Sequence, residues 1–396
     1  MLIQILIFLL GGVLAGTFTG LTPGLHINLV GVFLVSLSAS LLSSLNPIYI
    51  VVFIVAMAIT HTFVDFIPSV FLGCPDTDTE LSILPGHELL KQGLGYEAVI
   101  LTCYGSLAAV LILILILVPS ILIMPKIYSL TKNILPYLLI GASIFLISLE
   151  KKKFSALVVF LITGILGWSV LNMGLVKEPL LPLLTGLFGS SMLIISIKTK
   201  ALIAKQEVTK PKTRIIKPLI GAVIASPLCS FLPGLGSGQA AIIGNLISKT
   251  DKKGFLILLG ATNTLVMGVS FISLYAISKT RSGAVVAIKE LIGNLSVEIL
   301  ILIMAVVLIS GIISFFLTDF LAKFFSQRIE KINYSLLSLL TLVILVLITF
   351  FVSGLIGFVV LLVSTLTGIY CISLGVKRTN MMGCLLLPTI LFYLIS

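Results

Sequence analysis

The chain has 396 residues, of which 59% are hydrophobic and 10% charged, and its mean hydropathy is +1.27. Soluble domains carry roughly a quarter charged residues, and membrane barrels alternate apolar with polar positions, so long unbroken apolar runs leave the helical membrane class. The formal net charge of +11 resides on lysines and arginines in short loops between those runs, as the positive-inside rule expects, which argues against nucleic acid as a partner.

The N-terminal Met1-Leu2-Ile3-Gln4-Ile5 has no basic region and no small-residue cleavage site after it, so it reads as a retained first helix. Cutting the chain at charges, Pro and Gly gives about seven apolar segments per half. In the first half these cover roughly 2–20, 25–43, 48–72, 97–124, 134–149, 155–175 and 180–197. The second half gives roughly 218–232, 236–248, 254–277, 292–318, 333–352, 355–373 and 381–396. Between them, residues 198–217 carry seven basic residues against one acid, Glu207, and read as a cytoplasmic linker. The expected organisation is a transmembrane repeat over 1–197, the basic linker, and an inverted repeat over 218–396.

A stretch built on Pro-Gly occurs once in each half: Leu21-Thr22-Pro23-Gly24-Leu25-His26-Ile27-Asn28 and Phe231-Leu232-Pro233-Gly234-Leu235-Gly236-Ser237-Gly238-Gln239. Pro removes a backbone donor and Gly accepts unusual dihedrals, so each pair should break its helix or make it re-entrant. Unpaired backbone is tolerated at membrane depth only inside protein or beside a wet cavity, and paired breaks in two halves point to a transport site. Pro23-Gly24-Leu25 and Pro233-Gly234-Leu235 are 210 positions apart, whereas His61-Thr62 and Asn263-Thr264, and Glu88-Leu89 and Glu290-Leu291, are 202 apart. The eight residues lost between the two offsets shorten the segment near 236–248 below the about 20 residues that span a bilayer, which predicts a half-helix or hairpin there.

A half-helix N-terminus aims bare N–H groups and a positive dipole end at its cavity, which suits a carboxylate or phosphate. Gly234, Gly236 and Gly238 would expose backbone, with Ser237 and Gln239 as side-chain partners; His26 and Asn28 fill the equivalent places in the first copy. The alternative is a pair of Pro kinks packed through small residues. Acids deep in apolar sequence are costly, and Asp65 and Glu298 are the two singled out. His61 and Asp65, four apart on one helical face, could carry a proton or hold a cation, or could form a structural hydrogen bond; Asn263 stands at the repeat position of His61. Glu298 has no counterpart and is expected near the headgroups.

The loop from Gly73 to Glu88 is the most acidic stretch, but it lacks the calcium-loop pattern, with Leu81 and His87 at the diagnostic places, and reads as an acidic lid or turn. Its repeat mate holds Arg281, which could grip an anion or anchor at the interface. The five cysteines show no metal or redox spacing. Phosphate-cradling loops, nucleophile elbows and zinc-protease helices are missing from the sequence, so ATP-driven pumping and enzymatic hydrolysis are disfavoured.

The duplicated Pro-Gly-Leu motif, with Gly20-Leu21-Thr22-Pro23-Gly24-Leu25-His26 in one half and residues 231–239 in the other, resembles the large permease subunit of the tripartite tricarboxylate transporter family. The run from Pro75 to His87 and Gly260-Ala261-Thr262-Asn263-Thr264 are similar to the branch found as single proteins in prokaryotes. The chain is shorter than typical members and has His26 where a small residue is usual. The resemblance implies a secondary transporter for organic anions in the prokaryotic plasma membrane, driven by sodium or protons, with no other cofactor. Candidate partners are a small membrane subunit, an external binding protein and a second copy of the chain. Polyprenyl-phosphate translocases also pair Pro-Gly motifs in inverted halves, so a lipid phosphate is the alternative cargo.

Overall fold

The computed structural model describes residues 2–22, 46–72, 79–131, 134–148, 150–176, 179–199, 204–211, 213–231, 236–279, 282–329, 334–376 and 378–395. Among the described residues 87% are helical and none forms a strand. In chain order the helices are α1 (Leu2–Leu21), α2 (Pro47–Phe71, turning at Asp65), α3 (Ile83–Lys91), α4 (Gly95–Thr131), α5 (Leu135–Ser148), α6 (Lys153–Asn172), α7 (Leu180–Leu184) and, after a π-helical turn Thr185–Ser190, α8 (Ser191–Thr199). Then come α9 (Ile216–Phe231), α10 (Ser237–Ser248), α11 (Lys252–Ile277), α12 (Gly283–Ile292), α13 (Val297–Ile329), α14 (Tyr334–Ser373) and α15 (Gly383–Ile395). Among the described residues, seven helices are long and apolar enough to cross a membrane: α1, α2, α4, α6, α11, α13 and α14. The protein is an all-α polytopic membrane protein.

Two charge-based boundaries fall short of the observed helix ends. Helix α4 runs on through Pro125 and Lys126 to Thr131, and α13 runs through Asp319 and Lys323 to Ile329. In α13 the reason is local: Lys323 donates to Asp319 one turn earlier at 2.5 Å, so the two charges compensate each other on one face. The segments expected at 333–352 and 355–373 correspond to two helices that meet within α14 at Gly354, where φ +70° and ψ −169° leave the helical region.

The chain divides into two compact units. One comprises Met1–Phe71, Asp76–Lys126 and Ile203–Lys331; the other comprises Leu72–Pro75, Ile127–Leu202 and Ile332–Ser396. Both offsets seen in the sequence reappear in the helix ends. Helices α4 and α13 start at Gly95 and Val297, 202 apart; α1 and α9 end at Leu21 and Phe231, 210 apart. Gly354, the bend in α14, lies 202 positions after Lys152, the residue that caps the start of α6.

In the first unit the repeat mates pack against each other antiparallel. Along α4 and α13, Tyr96 donates to Asp319 at 2.6 Å, Tyr104 stacks on Phe315 with ring centroids 6.1 Å apart, and Val110 meets Gly311. Rising numbers on one helix meet falling numbers on the other. Helices α2 and α11 meet through Thr62 and Thr264, themselves 202 apart, whose hydroxyls lie 3.0 Å from each other. A residue touching its own repeat mate lies on the pseudo-two-fold axis, and antiparallel mates require that axis to cross the helices. Antiparallel packing of the offset-paired helices is what an inverted repeat would give.

Small residues set the close approaches. Gly12, Gly16 and Gly20 form a stripe on α1; a Cβ at Gly12 or Gly16 would come within 2.4 Å of the Phe53 or Met57 carbonyl oxygen of α2. In the second unit, α15 crosses α6 at Gly167, where a Cβ would meet the Cys384 oxygen at 1.9 Å, and the π turn meets α14 at Gly186 and Gly368. Asn380 donates to Glu150 there at 3.2 Å, and Arg378 lies against the Met192 sulfur.

Candidate functional site

Helices α2 and α11 are the enclosed spans. In each, 94% of the apolar window is buried within protein, against 22% for α4 and 28% for α1. Polar side chains on α2 and α11 are thus shielded from lipid, and the polar cluster is found there. His61, Asp65 and Asn263 are each 3% exposed, and Thr62 and Thr264 are buried. The local cause of the turn at Asp65 is Pro68, which has no N–H to offer the Val64 carbonyl and whose ring crowds it. The Ser69 hydroxyl donates to the Asp65 carbonyl at 2.8 Å and meets the Thr79 hydroxyl at 2.6 Å.

The cluster spans three helices. Asn263 Nδ2 donates to Asp65 Oδ2 at 2.9 Å and lies 3.4 Å from the Thr62 carbonyl oxygen. His61 Nε2 lies 4.0 Å from Asp65 Oδ2, an ion-pair separation wider than a hydrogen bond. His61 Nδ1 instead meets Thr19 Oγ1 of α1 at 3.0 Å. The residue that the offset made the counterpart of His61 thus shares Asp65 with His61. A carboxylate, an imidazole, an amide and three hydroxyls, gathered away from lipid, can hold a monovalent cation or carry a proton.

Both Pro-Gly motifs are approached from helices tied to this pair. Thr19, which meets His61, is in the last turn of α1, four residues before Pro23. On the other side, Ser270 of α11 donates to the Ser230 carbonyl at 3.2 Å, in the last turn of α9 and three residues before Pro233. Pro23, Gly24, His26, Asn28, Pro233, Gly234 and Arg281 lie outside the described residues, as do residues 73–78 of the acidic loop.

The described end of the second motif opens α10. Gly236 is its N-cap, and Gln239 Oε1 accepts the Gly236 N–H at 2.7 Å, half of a capping box. Gln239 is 5% exposed, and among the described residues its Nε2 has no hydrogen-bond partner. Ser237 is buried and Gly238 follows it in the first turn. With 12 residues, or about 18 Å at 1.5 Å per residue, α10 is too short to cross a bilayer.

Three polar contacts were not foreseen from sequence. Asp319 accepts from Tyr96 and Lys323, buried Glu97 pairs with Lys253 at 2.5 Å, and buried Gln206 pins the linker by accepting the Gly95 N–H at 2.9 Å and donating to the Leu90 carbonyl at 2.9 Å. The i,i+4 spacing of Asp319 and Lys323 was the available signal. Glu298, expected near the headgroups, is exposed in the first turn of α13.

Comparison with known proteins gives a consistent answer. The chain is 33% identical over 401 residues to an uncharacterized protein of Methanocaldococcus jannaschii, an alignment covering 98% of this chain and 99% of that one. No solved structure matches it. Residues 6–383 match the tripartite tricarboxylate transporter TctA family. That nearly full-length match places the chain in the TctA family of membrane permeases.

Proposed function

We propose that this protein is an ion-coupled secondary transporter that carries a small organic anion of the carboxylate class across the prokaryotic plasma membrane by alternating access. The family match over 6–383 carries the reading. Pro23, Gly24, Pro233, Gly234, Gly236, Ser237 and Gly238 shape the anion site, with His26, Asn28, Gln239, Asn263 and Arg281 as polar contacts. Support comes from the start of α10, where first-turn N–H groups and the buried Nε2 of Gln239 are donors suited to a carboxylate.

His61 and Asp65 form the coupling element, for sodium or a proton. Their burial beside the Thr62–Thr264 contact, where helices from both halves of the chain meet, supports this role. The family's tripartite organisation makes a small membrane subunit and an external binding protein the partners to test, beside a second copy of the chain. The same match favours a carboxylate over a lipid-linked phosphate as cargo.

The test is uptake of labelled di- and tricarboxylates into proteoliposomes, with and without a sodium or proton gradient. Gradient-dependent accumulation of at least one carboxylate is expected. Polyprenyl-phosphate translocation with no carboxylate uptake would overturn the reading.

A further inference from the structure

We infer that an anionic phospholipid headgroup binds where the linker joins α9 and where α10 turns into α11. A cavity of about 640 Å³, within the ~300–1,000 Å³ usual for ligand sites, opens there between Arg214, Lys217, Lys249, Thr250, Asp251 and Gly254. Its three cations are exposed. Its one acid is already engaged: Asp251 Oδ1 caps α11 by accepting the Gly254 N–H at 2.9 Å. The turn that carries Lys249 is fixed. Lys249 is left-handed at φ +48° with its N–H on the Asn245 carbonyl at 2.8 Å, and Thr250 donates to Asn245 Oδ1 from both its backbone and its hydroxyl.

The surface beside the cavity selects a lipid over a soluble anion. On α9, Ile216, Ile220 and Ile224 are 70%, 51% and 51% exposed; spaced by four, they make one stripe that begins next to Lys217. Leu246 and Ile247, in the last two turns of α10, are 37% and 47% exposed. The headgroup phosphate sits among the three cations while the acyl chains run along the isoleucine stripe. A soluble phosphate meets the cations but leaves the stripe unused. Basic side chains next to an apolar membrane helix are the usual recognition of acidic lipid, at about fivefold in affinity per cation.

The experiment titrates short-chain phosphatidylglycerol into the detergent-purified full chain and follows its melting temperature. Phosphatidylglycerol is expected to raise it saturably and phosphatidylcholine to leave it unchanged. In the triple variant Arg214→Gln, Lys217→Gln, Lys249→Gln the half-saturating lipid concentration should rise about a hundredfold, and in Lys151→Gln, Lys153→Gln it should stay as in the parent. An equal response to phosphatidylcholine, a triple variant within threefold of the parent, or the same stabilisation by free glycerol phosphate would each overturn the inference. A photoactivatable phosphatidylglycerol on the unaltered chain gives a reading that does not depend on the variant folding. Adducts are expected on peptides spanning 213–224 and 244–254, and adducts confined to other peptides would overturn it.

Discussion

Asp65→Asn isolates the charge of the proposed coupling element from its shape. Asp65 is 3% exposed and accepts from Asn263 at 2.9 Å, and an asparagine side chain occupies nearly the same volume. The change weakens one charge-assisted hydrogen bond, about 1 kcal/mol, so the variant should remain folded. The effect on a bound cation is larger. A cation placed 4.0 Å from the carboxylate, the separation of His61 Nε2 from Asp65 Oδ2, sets the scale. Two unit charges at that distance attract by about 4 kcal/mol at an effective dielectric constant near 20. At 1.4 kcal/mol per decade this corresponds to about three decades of lost cation affinity. The assay is the ion concentration giving half-maximal carboxylate uptake in proteoliposomes. An increase of a hundredfold or more is expected, with Asp65→Glu intermediate. A monodisperse Asp65→Asn protein whose half-saturating ion concentration stays within threefold of the parent would refute Asp65 as the coupling acid.

Other outcomes follow from the packing and the polar contacts. A methyl at Gly105 would lie 2.0 Å from the Ile257 carbonyl oxygen, so Gly105→Ala should cost about 1–3 kcal/mol and lower the melting temperature in detergent. Gly141, with nothing within 4 Å, should accept alanine with no loss. A double-mutant cycle with Thr62→Val and Thr264→Val should give a coupling of about 0.5–1.5 kcal/mol in thermal stability; a coupling of zero would remove the hydroxyl contact on the axis. Lys253→Ala strands Glu97, which is 5% exposed, and should destabilise by about 3 kcal/mol, whereas adding Glu97→Gln should restore much of that loss.

Much of this architecture is legible in the sequence because bilayer thickness and backbone satisfaction leave few alternatives. The apolar run before each Pro-Gly pair, the short segment near 236–248 and the two offsets all correspond to described helices. His61, Asp65 and Asn263 stand out because polar groups in apolar sequence are rare, and the offset that paired His61 with Asn263 also brings them to one carboxylate. What stays hidden is of two kinds. Asp319 is masked by Lys323 one turn on, so the pair looks like an ordinary helix end, and its partner Tyr96 lies 223 residues away. The Thr62–Thr264 contact is equally silent: threonine is common in membrane helices, and only the packing of α2 on α11 brings these two together.

The central claim, that carboxylate and coupling ion share one thermodynamic cycle, is tested most directly by equilibrium binding to the purified protein. The dissociation constant of a tricarboxylate is measured across a range of sodium and proton concentrations, and that of the ion across a range of tricarboxylate. The account predicts that one of the two ions tightens tricarboxylate binding and is itself tightened by the same factor, as linkage demands. Tricarboxylate binding indifferent to both ions would contradict it.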